Sequence, residues 1–461
     1  MNIQNLVLII VAVTAETPLP AQTVLKYVPA PVDNPLKGLV PYAGPHANRF
    51  PHSLEYQDLP LSVLVKGADE FEWQPLEDIL NDISSRRHQA ILRIWMEYPG
   101  RSEGIPEFLE VGGLKVTEWL NTNTDPFPRQ QVRTPDYSDP ALRSVLQSFL
   151  AAFGRRYDGD PRIGFITAGL LGTWGEWHTY PRTELMADKT VQSEVMTAYE
   201  GAFKVTPVLL RYPAGSDAWA YAANHDRRFG YHDDSFAWAT LETGRQEDNW
   251  FFVPALKAAG TQAVQKWKSF PVGGEIRPEL WGQIFDDQPV HPQAQDFAEC
   301  VRQTHASWLL DTGMFGERQS DARIKNAMAQ VRAMGYEFHV EACRIQPDVA
   351  DLKKASADVS VFIQVRNTGV APFYYDWAVE LGTVHDKQIQ QTWPVEGSLL
   401  NLLPDSPLRT WTARISKSDL PAPPDALAIR IVNPLPNGMP PRFANEPSPE
   451  APEGWLLLPA R

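Results

Sequence analysis

The run Gly169-Leu-Leu-Gly-Thr-Trp-Gly-Glu-Trp-His178 sets one carboxyl, Glu176, between two tryptophans and beside a histidine. Its glycines let backbone and ligand approach closely. A carboxyl flanked by indoles loses water, which raises its pKa and lets it hold a proton near neutrality, as a general acid must. Further along, Val272-Gly-Gly-Glu275 presents a second carboxyl. Two carboxyls facing across a cleft are what glycosidic cleavage requires: one protonates the leaving oxygen, the other attacks the anomeric carbon or activates water there. Arg93 sits in the apolar run Ala90-Ile-Leu-Arg-Ile-Trp95. A guanidinium buried there needs a carboxylate, and Glu275 is the expected partner, held ionised. The bland alternatives are that Glu176 caps or salt-bridges a loop, that Glu275 pairs with Arg277, and that Arg93 has a purely structural partner.

Around these two acids the expected substrate contacts are Arg93, Trp95, Glu97, Trp174, Trp177, His178, Arg211, Tyr231, His232 and Asp311. Trp95, Trp174 and Trp177 offer flat faces on which sugar C–H groups pack. Glu97, Asp233 and Asp234 are rival acids. His178 and His232 are expected to bond sugar hydroxyls and not a metal, because no His-x-x-x-His or His/Asp cluster accompanies them. Neither metal nor cofactor is expected.

Such residues need rigid strand ends to carry them. From Asn34 onward, short β-rich apolar runs alternate with longer amphipathic ones, the pattern of repeated βα units. Eight runs read as strands: 38–42, 61–65, 90–95, 163–171, 207–212, 228–231, 270–274 and 307–310. The clearest helical stretches between and after them are 75–87, 140–157, 292–304 and 321–334. Eight βα units over 34–342 predict an α/β fold, a (β/α)8 or TIM barrel, which gathers its reactive groups at the carboxyl ends of its strands. A doubly wound open sheet would carry a Gly-rich phosphate loop after the first strand, and none is present. From 343 to 461 the texture changes to alternating strand patterns with Pro-rich breaks. A small antiparallel β-sandwich is expected from Val359 to Val432, followed by a Pro-dense tail.

The first 22 residues contain Leu6-Val-Leu-Ile-Ile-Val-Ala-Val-Thr-Ala15, too short to span a bilayer and followed by small residues. They read as a secretory signal peptide, so a secreted or periplasmic protein is expected. MNIQN lacks the usual basic residue, and an apolar first strand is the alternative. A net charge of −14 argues against nucleic acid or an anionic membrane as partner, since both attract clustered Lys and Arg. An oligo- or polysaccharide suits it better. The two cysteines, Cys300 and Cys343, are too few for a disulfide scaffold and pair once or not at all.

Asn34-Pro-Leu-Lys-Gly-Leu-Val-Pro-Tyr42, Leu92-Arg-Ile-Trp-Met-Glu97, Gly172-Thr-Trp-Gly-Glu-Trp-His178 and Gly273-Gly-Glu275 together resemble the DUF4832 group, which is often secreted and whose name records no activity. More distantly, acids after strands four and seven resemble the retaining (β/α)8 glycoside hydrolases. That resemblance implies Glu176 as acid/base and Glu275 as nucleophile. Members of that clan usually carry Asn before the acid/base, to contact the sugar 2-hydroxyl; Gly175 stands here, so either another residue such as His178 takes that contact or the mechanism differs. A glycoside hydrolase with retaining chemistry is the leading expectation. A non-catalytic carbohydrate-binding barrel is the alternative, and a structural surface protein displaying its C-terminal sandwich is a third.

Overall fold

Runs such as Ala90-Ile-Leu-Arg-Ile-Trp95 are apolar at almost every position because strands of a parallel sheet are covered on both faces, and in the computed structural model they form the wall of a barrel. The structure describes residues 23–459 except 47–49, 123–128, 289–290, 317, 348–357 and 423–424. The expected signal peptide over 1–22 lies outside the described residues.

The eight parallel strands are β1 (Gly38–Val40), β2 (Leu54–Pro60), β3 (Gln89–Trp95), β4 (Ile163–Thr167), β5 (Val208–Leu210), β6 (Gly230–Phe236), β7 (Val272–Ile276) and β8 (Ala306–Leu310). Each pairs with its sequence neighbour, and β8 pairs with β1. The ring closes between β1 and β2 through the parallel Tyr42–Tyr56 bridge, where the N–H of Ala43 donates to the Tyr56 carbonyl. The fold is the expected (β/α)8 barrel. Helix Pro140–Tyr157 shows how the outer layer forms: Asp139 caps it by accepting from the N–H groups of Ala141 and Leu142, and Pro140 opens it. Leu142, Val145, Leu146, Phe149 and Phe153 then form its buried stripe.

The second strand is not where the sequence places it. Leu61–Leu64 is a single helical turn and Val65–Gly67 begins a small hairpin, while the barrel strand is the more polar Leu54-Glu-Tyr-Gln-Asp-Leu-Pro60. Its outward Glu55 is fully buried, yet satisfied: Arg86 donates two bonds to it at 2.7 Å and Nδ1 of His88 lies at 2.8 Å. Those partners take the place of the apolar residue expected on a covered face.

Beyond the barrel lie β9 (Phe338–Pro347), β10 (Asp358–Asn367), β11 (Val379–His385), β12 (Gln388–Pro394), β13 (Arg409–Ser416), β14 (Ala426–Ile431) and β15 (Leu456–Leu458). Two four-stranded sheets, Thr23–Val24 with β9, β10 and β13, and β12, β11, β14 and β15, share one apolar core, so this part is an antiparallel sandwich. That core runs on into the barrel interior through Leu36, Leu54, Phe165 and Trp308. Tyr336 donates to the Pro35 carbonyl and Tyr375 to that of Gly164, both at the amino-terminal side of the barrel. The sandwich thus covers that end, and the carboxyl ends of the strands face the other way. Cys300 and Cys343 are both buried and unpaired, and among the described residues no helix is long and apolar enough to cross a membrane.

Candidate active site

Strand β3 ends on residues whose inward member is Arg93, 7% exposed, at the centre of the barrel mouth. Its guanidinium donates to Oε1 of Glu176 at 2.9 Å, to Oγ1 of Thr167 at 3.2 Å, and contacts Nε2 of His232 at 3.3 Å. The ring of Tyr56 lies 5.4 Å beneath it. Arg93 therefore meets Glu176 and not Glu275. The reason is strand order: Arg93 is in register with Thr167 of the adjacent β4, while Glu275 is on β7.

Glu176 is held by a tight loop. Gly172, at φ 76°, lies where a Cβ would stand 2.5 Å from the His178 carbonyl, and Gly175, at φ 72°, lies 3.1 Å from Gly169 by the same measure. The loop is thus built without a side chain where the glycosidase clan carries Asn. Nε2 of His178 lies 3.6 Å from Oε2 of Glu176. Burial alone would raise the pKa of Glu176, but the approach of His178 Nε2 and the charges of Arg93 and Arg211 outweigh it and hold the carboxyl at about 2. Glu275 is the opposite case. It has no hydrogen bond or ion pair among the described residues, because Arg277 pairs with Glu279 at 2.9 Å. Burial first, and then the negative charge of Glu176, push it up to about 8. The expected charge pattern is therefore reversed: Glu176 is ionised and Glu275 holds the proton.

The other predicted contacts divide. His178, Arg211 and His232 join the site: Arg211 pairs with Asp234 and lies 3.6 Å over the Tyr212 ring, while burial and Arg93 keep His232 neutral. Trp174 is half-buried, its ring 6.0 Å from that of His178. Trp177 is not in the mouth. It donates to the Ala168 carbonyl at 2.8 Å and packs in the core between the strands and the helices around Phe149 and Val195. Trp95 is fully buried, with Tyr98 5.0 Å away and Arg101 5.8 Å over its ring. The concave pocket expected between three tryptophans and two glutamates thus does not form. A small cleft at this end is lined instead by Arg211, Tyr212, His232, Asp234 and Trp250.

Tyr231 points outward and donates to Asn224, because alternation in β6 sends His232 and Asp234 inward. Asp311 is fully buried and accepts the N–H groups of Gly282 and Met314, tying two loops together. Glu97, also buried, accepts from Thr134 and Tyr137 while Tyr137 accepts from the N–H of Gly172, so it braces the Glu176 loop from behind. Asp233 is similarly occupied by Thr240.

Two residues escaped the sequence reading. Trp308 fills the barrel centre, and Gly273 is glycine because a Cβ there would lie 2.1 Å from that indole. Asp58 lies at the end of β2, in register with Arg93; shifting the second strand hid it, and correct placement of that strand was the signal that could have found it.

Glu176, His178 and Asp234 bring ligand atoms within 4.8 Å of one another, an acid/His cluster that the sequence did not suggest. A divalent ion could bridge that spacing. Nδ1 of His178, however, accepts the Tyr180 N–H at 3.3 Å, which leaves the ring proton on Nε2, the nitrogen facing Glu176. With Arg93 and Arg211 already neutralising both carboxylates, the cluster is a hydrogen-bonded network. His52, Glu55 and His88 form a second such group. There both Glu55 oxygens are taken by Arg86, His88 and the Gly44 N–H.

Solved structures similar to this chain are glycoside hydrolases. They include an endo-glycoceramidase II from a Rhodococcus species, at 12% identity over 84% of this chain and 98% of that one, with a TM-score of 0.41. A β-amylase catalytic domain from Paenibacillus polymyxa shares 8% identity over 66% and 99% of the two chains, with a TM-score of 0.40. An endoglucanase from Pseudomonas stutzeri shares 11% over 61% and 81%, with a TM-score of 0.34. No family model matches the chain, and no curated protein does.

Proposed function

We propose that the protein is a glycoside hydrolase in which Glu275 is the proton donor and Glu176 the ionised partner. The observation that carries this reading is that two carboxyls share one barrel mouth, Glu176 in the loop after β4 and Glu275 on β7, and Arg93 bonds the first alone, which holds Glu176 low while burial and the charge of Glu176 raise Glu275. Arg93 binds Oε1 of Glu176 and leaves Oε2 toward the site. In the first step the Glu275 proton passes to the glycosidic oxygen as the bond from that oxygen to the anomeric carbon breaks, and Oε2 of Glu176 bonds to that carbon. Water then attacks the same carbon, gives its proton to the Glu275 carboxylate and releases Glu176. Retention is the proposed outcome, with Glu176 bonding to the anomeric carbon; it requires the about 5 to 5.5 Å carboxyl separation of retaining sites and not the about 6.5 to 9.5 Å of inverting ones. The roles are exchanged relative to those implied by the clan resemblance.

The test begins with a substrate, found by screening aryl glycosides and polysaccharides with the purified protein. Glu176→Ala should then abolish turnover of every substrate. Glu275→Ala should lose at least about 100-fold on a glycan yet spare an aryl glycoside whose leaving group needs no proton, with azide restoring rate by attacking the glycosyl-enzyme. If both variants keep wild-type rates, or if Glu176→Ala is the one that spares aryl glycosides, the assignment fails.

A further inference from the structure

The cleft at the ends of β5 and β6 joins an apolar surface to a balanced pair of charges. One wall is Trp250, which stands 47% exposed just before the helix Phe252–Ala259. The chain after it is fixed, since the N–H of Phe251 donates to the Asp248 carbonyl at 3.0 Å and that of Phe252 to the Ala239 carbonyl at 2.9 Å. An indole left half in water forfeits part of the free energy that burial would give it. A single exposed aromatic ring is ordinary, but this one borders a cleft whose polar residues are arranged to meet hydroxyls.

Arg211 donates its Nε to Asp234, and its two terminal nitrogens make no hydrogen bond with a described residue. Its guanidinium is steadied by Tyr212, 3.6 Å from the ring centre, and Tyr212 in turn stacks on Tyr221 at 4.3 Å and 14°. Asp234 accepts from Oγ of Ser235 at 3.3 Å and still has lone pairs to offer. The pair therefore presents donors beside acceptors with its charges already balanced. Vicinal hydroxyls of a sugar, each both donor and acceptor, match that display. A carboxylate or an ammonium would find its counter-ion already taken. The cleft adjoins the acids, because Asp234 brings an oxygen within 4.8 Å of Glu176, and Trp250 enters it from the loop that leads to the outer helix.

We infer that Trp250 and the Arg211–Asp234 pair form a subsite for a second, neutral pyranose ring next to the one whose bond is cleaved, its C–H face on the indole and its hydroxyls on the pair, so that the substrate is a chain of uncharged sugars. The inference rests on the glycosidase reading and names the substrate class of the same site. Trp250 and Arg211 hold substrate in this scheme and take no part in bond making.

The probes are the monosaccharides and tetrasaccharides of glucose, galactose, mannose and xylose, with tetramers of glucuronic acid and glucosamine as charged counterparts, titrated calorimetrically into the full chain. At least one neutral tetramer should bind about tenfold more tightly than its monosaccharide, the worth of one ring stacked on an indole, and neither charged tetramer should exceed it. Trp250→Ala should erase that gain with length, while Trp250→Phe, which keeps a smaller ring, should retain part of it. A neutral tetramer bound no more tightly than its monosaccharide, a gain that survives in Trp250→Ala, or a charged tetramer bound most tightly of all overturns the inference and leaves the glycosidase reading standing. If the wild type binds none of these sugars, both fall together.

Discussion

Replacing Glu275 by glutamine should stabilise the protein at neutral pH and leave it unchanged in acid. Burial and the charge of Glu176 raise this carboxyl from an ordinary 4.5 to about 8. Below 4.5 the folded and unfolded chains both hold the proton, and the group has no effect on stability. Above it the unfolded chain releases its proton first, so the folded state loses about 1.4 kcal/mol of stability per pH unit until the folded pKa is passed. Between 4.5 and 7 this amounts to about 2 kcal/mol, after allowance for screening at a partly exposed carboxyl. Glutamine copies the protonated form and cannot titrate. For a chain of 461 residues the unfolding entropy makes that difference worth about 2 °C in Tm. Scanning calorimetry of both proteins from pH 4 to 8 should show coincident Tm values at the acid end and a widening gain for Glu275→Gln above pH 5, while glycan turnover is lost. Parallel curves, or a variant that is less stable at pH 7, would refute the assignment of the proton to Glu275.

Arg93→Met should cost about 3 to 5 kcal/mol, because it leaves the buried Glu176 carboxylate without its counter-charge. Denaturant midpoints should show the loss, and Arg93→Met combined with Glu176→Gln should regain most of it; a single variant as stable as the wild type would contradict the pairing. Glu97→Ala strands the hydroxyls of Thr134 and Tyr137 and should destabilise by about 2 kcal/mol. Amide exchange at Gly172, whose N–H is held through Tyr137, should speed up in that variant; unchanged protection there would remove Glu97 from the support of the Glu176 loop.

The barrel was legible because strands covered on both faces tend to be apolar along their length, and β1, β3, β4, β5 and β8 stand out for that reason. Helix starts were legible too, since Asp139 and Pro140 act through local backbone chemistry that any helix shares. The run around Glu176 and the Val-Gly-Gly-Glu run were visible as unusual, because glycines crowded with acids and indoles mark close approach of backbone and side chains, as Gly273 does against Trp308. The second strand was not visible. Its polar residues belong on a barrel wall only because Arg86 and His88, distant from Glu55 in the chain, neutralise it.

The chemistry of the site was decided by the same kind of distant contact. Sequence supplied the two glutamates, the arginine and the tryptophans, but a side chain's charge state depends on what lies within a few ångströms of it. Arg93 meets Glu176 because β3 and β4 are neighbours in the ring, and together with His178 beside Glu176 and the burial of Glu275 this exchanges the protonation expected of the two acids. Trp177 is turned under the helices by a loop with successive left-handed residues, a path that no pattern of residue types announces. Composition and periodicity report how much of each face is buried. Which groups share that burial, and so which of them carry charge, is settled only when the strands close into a barrel.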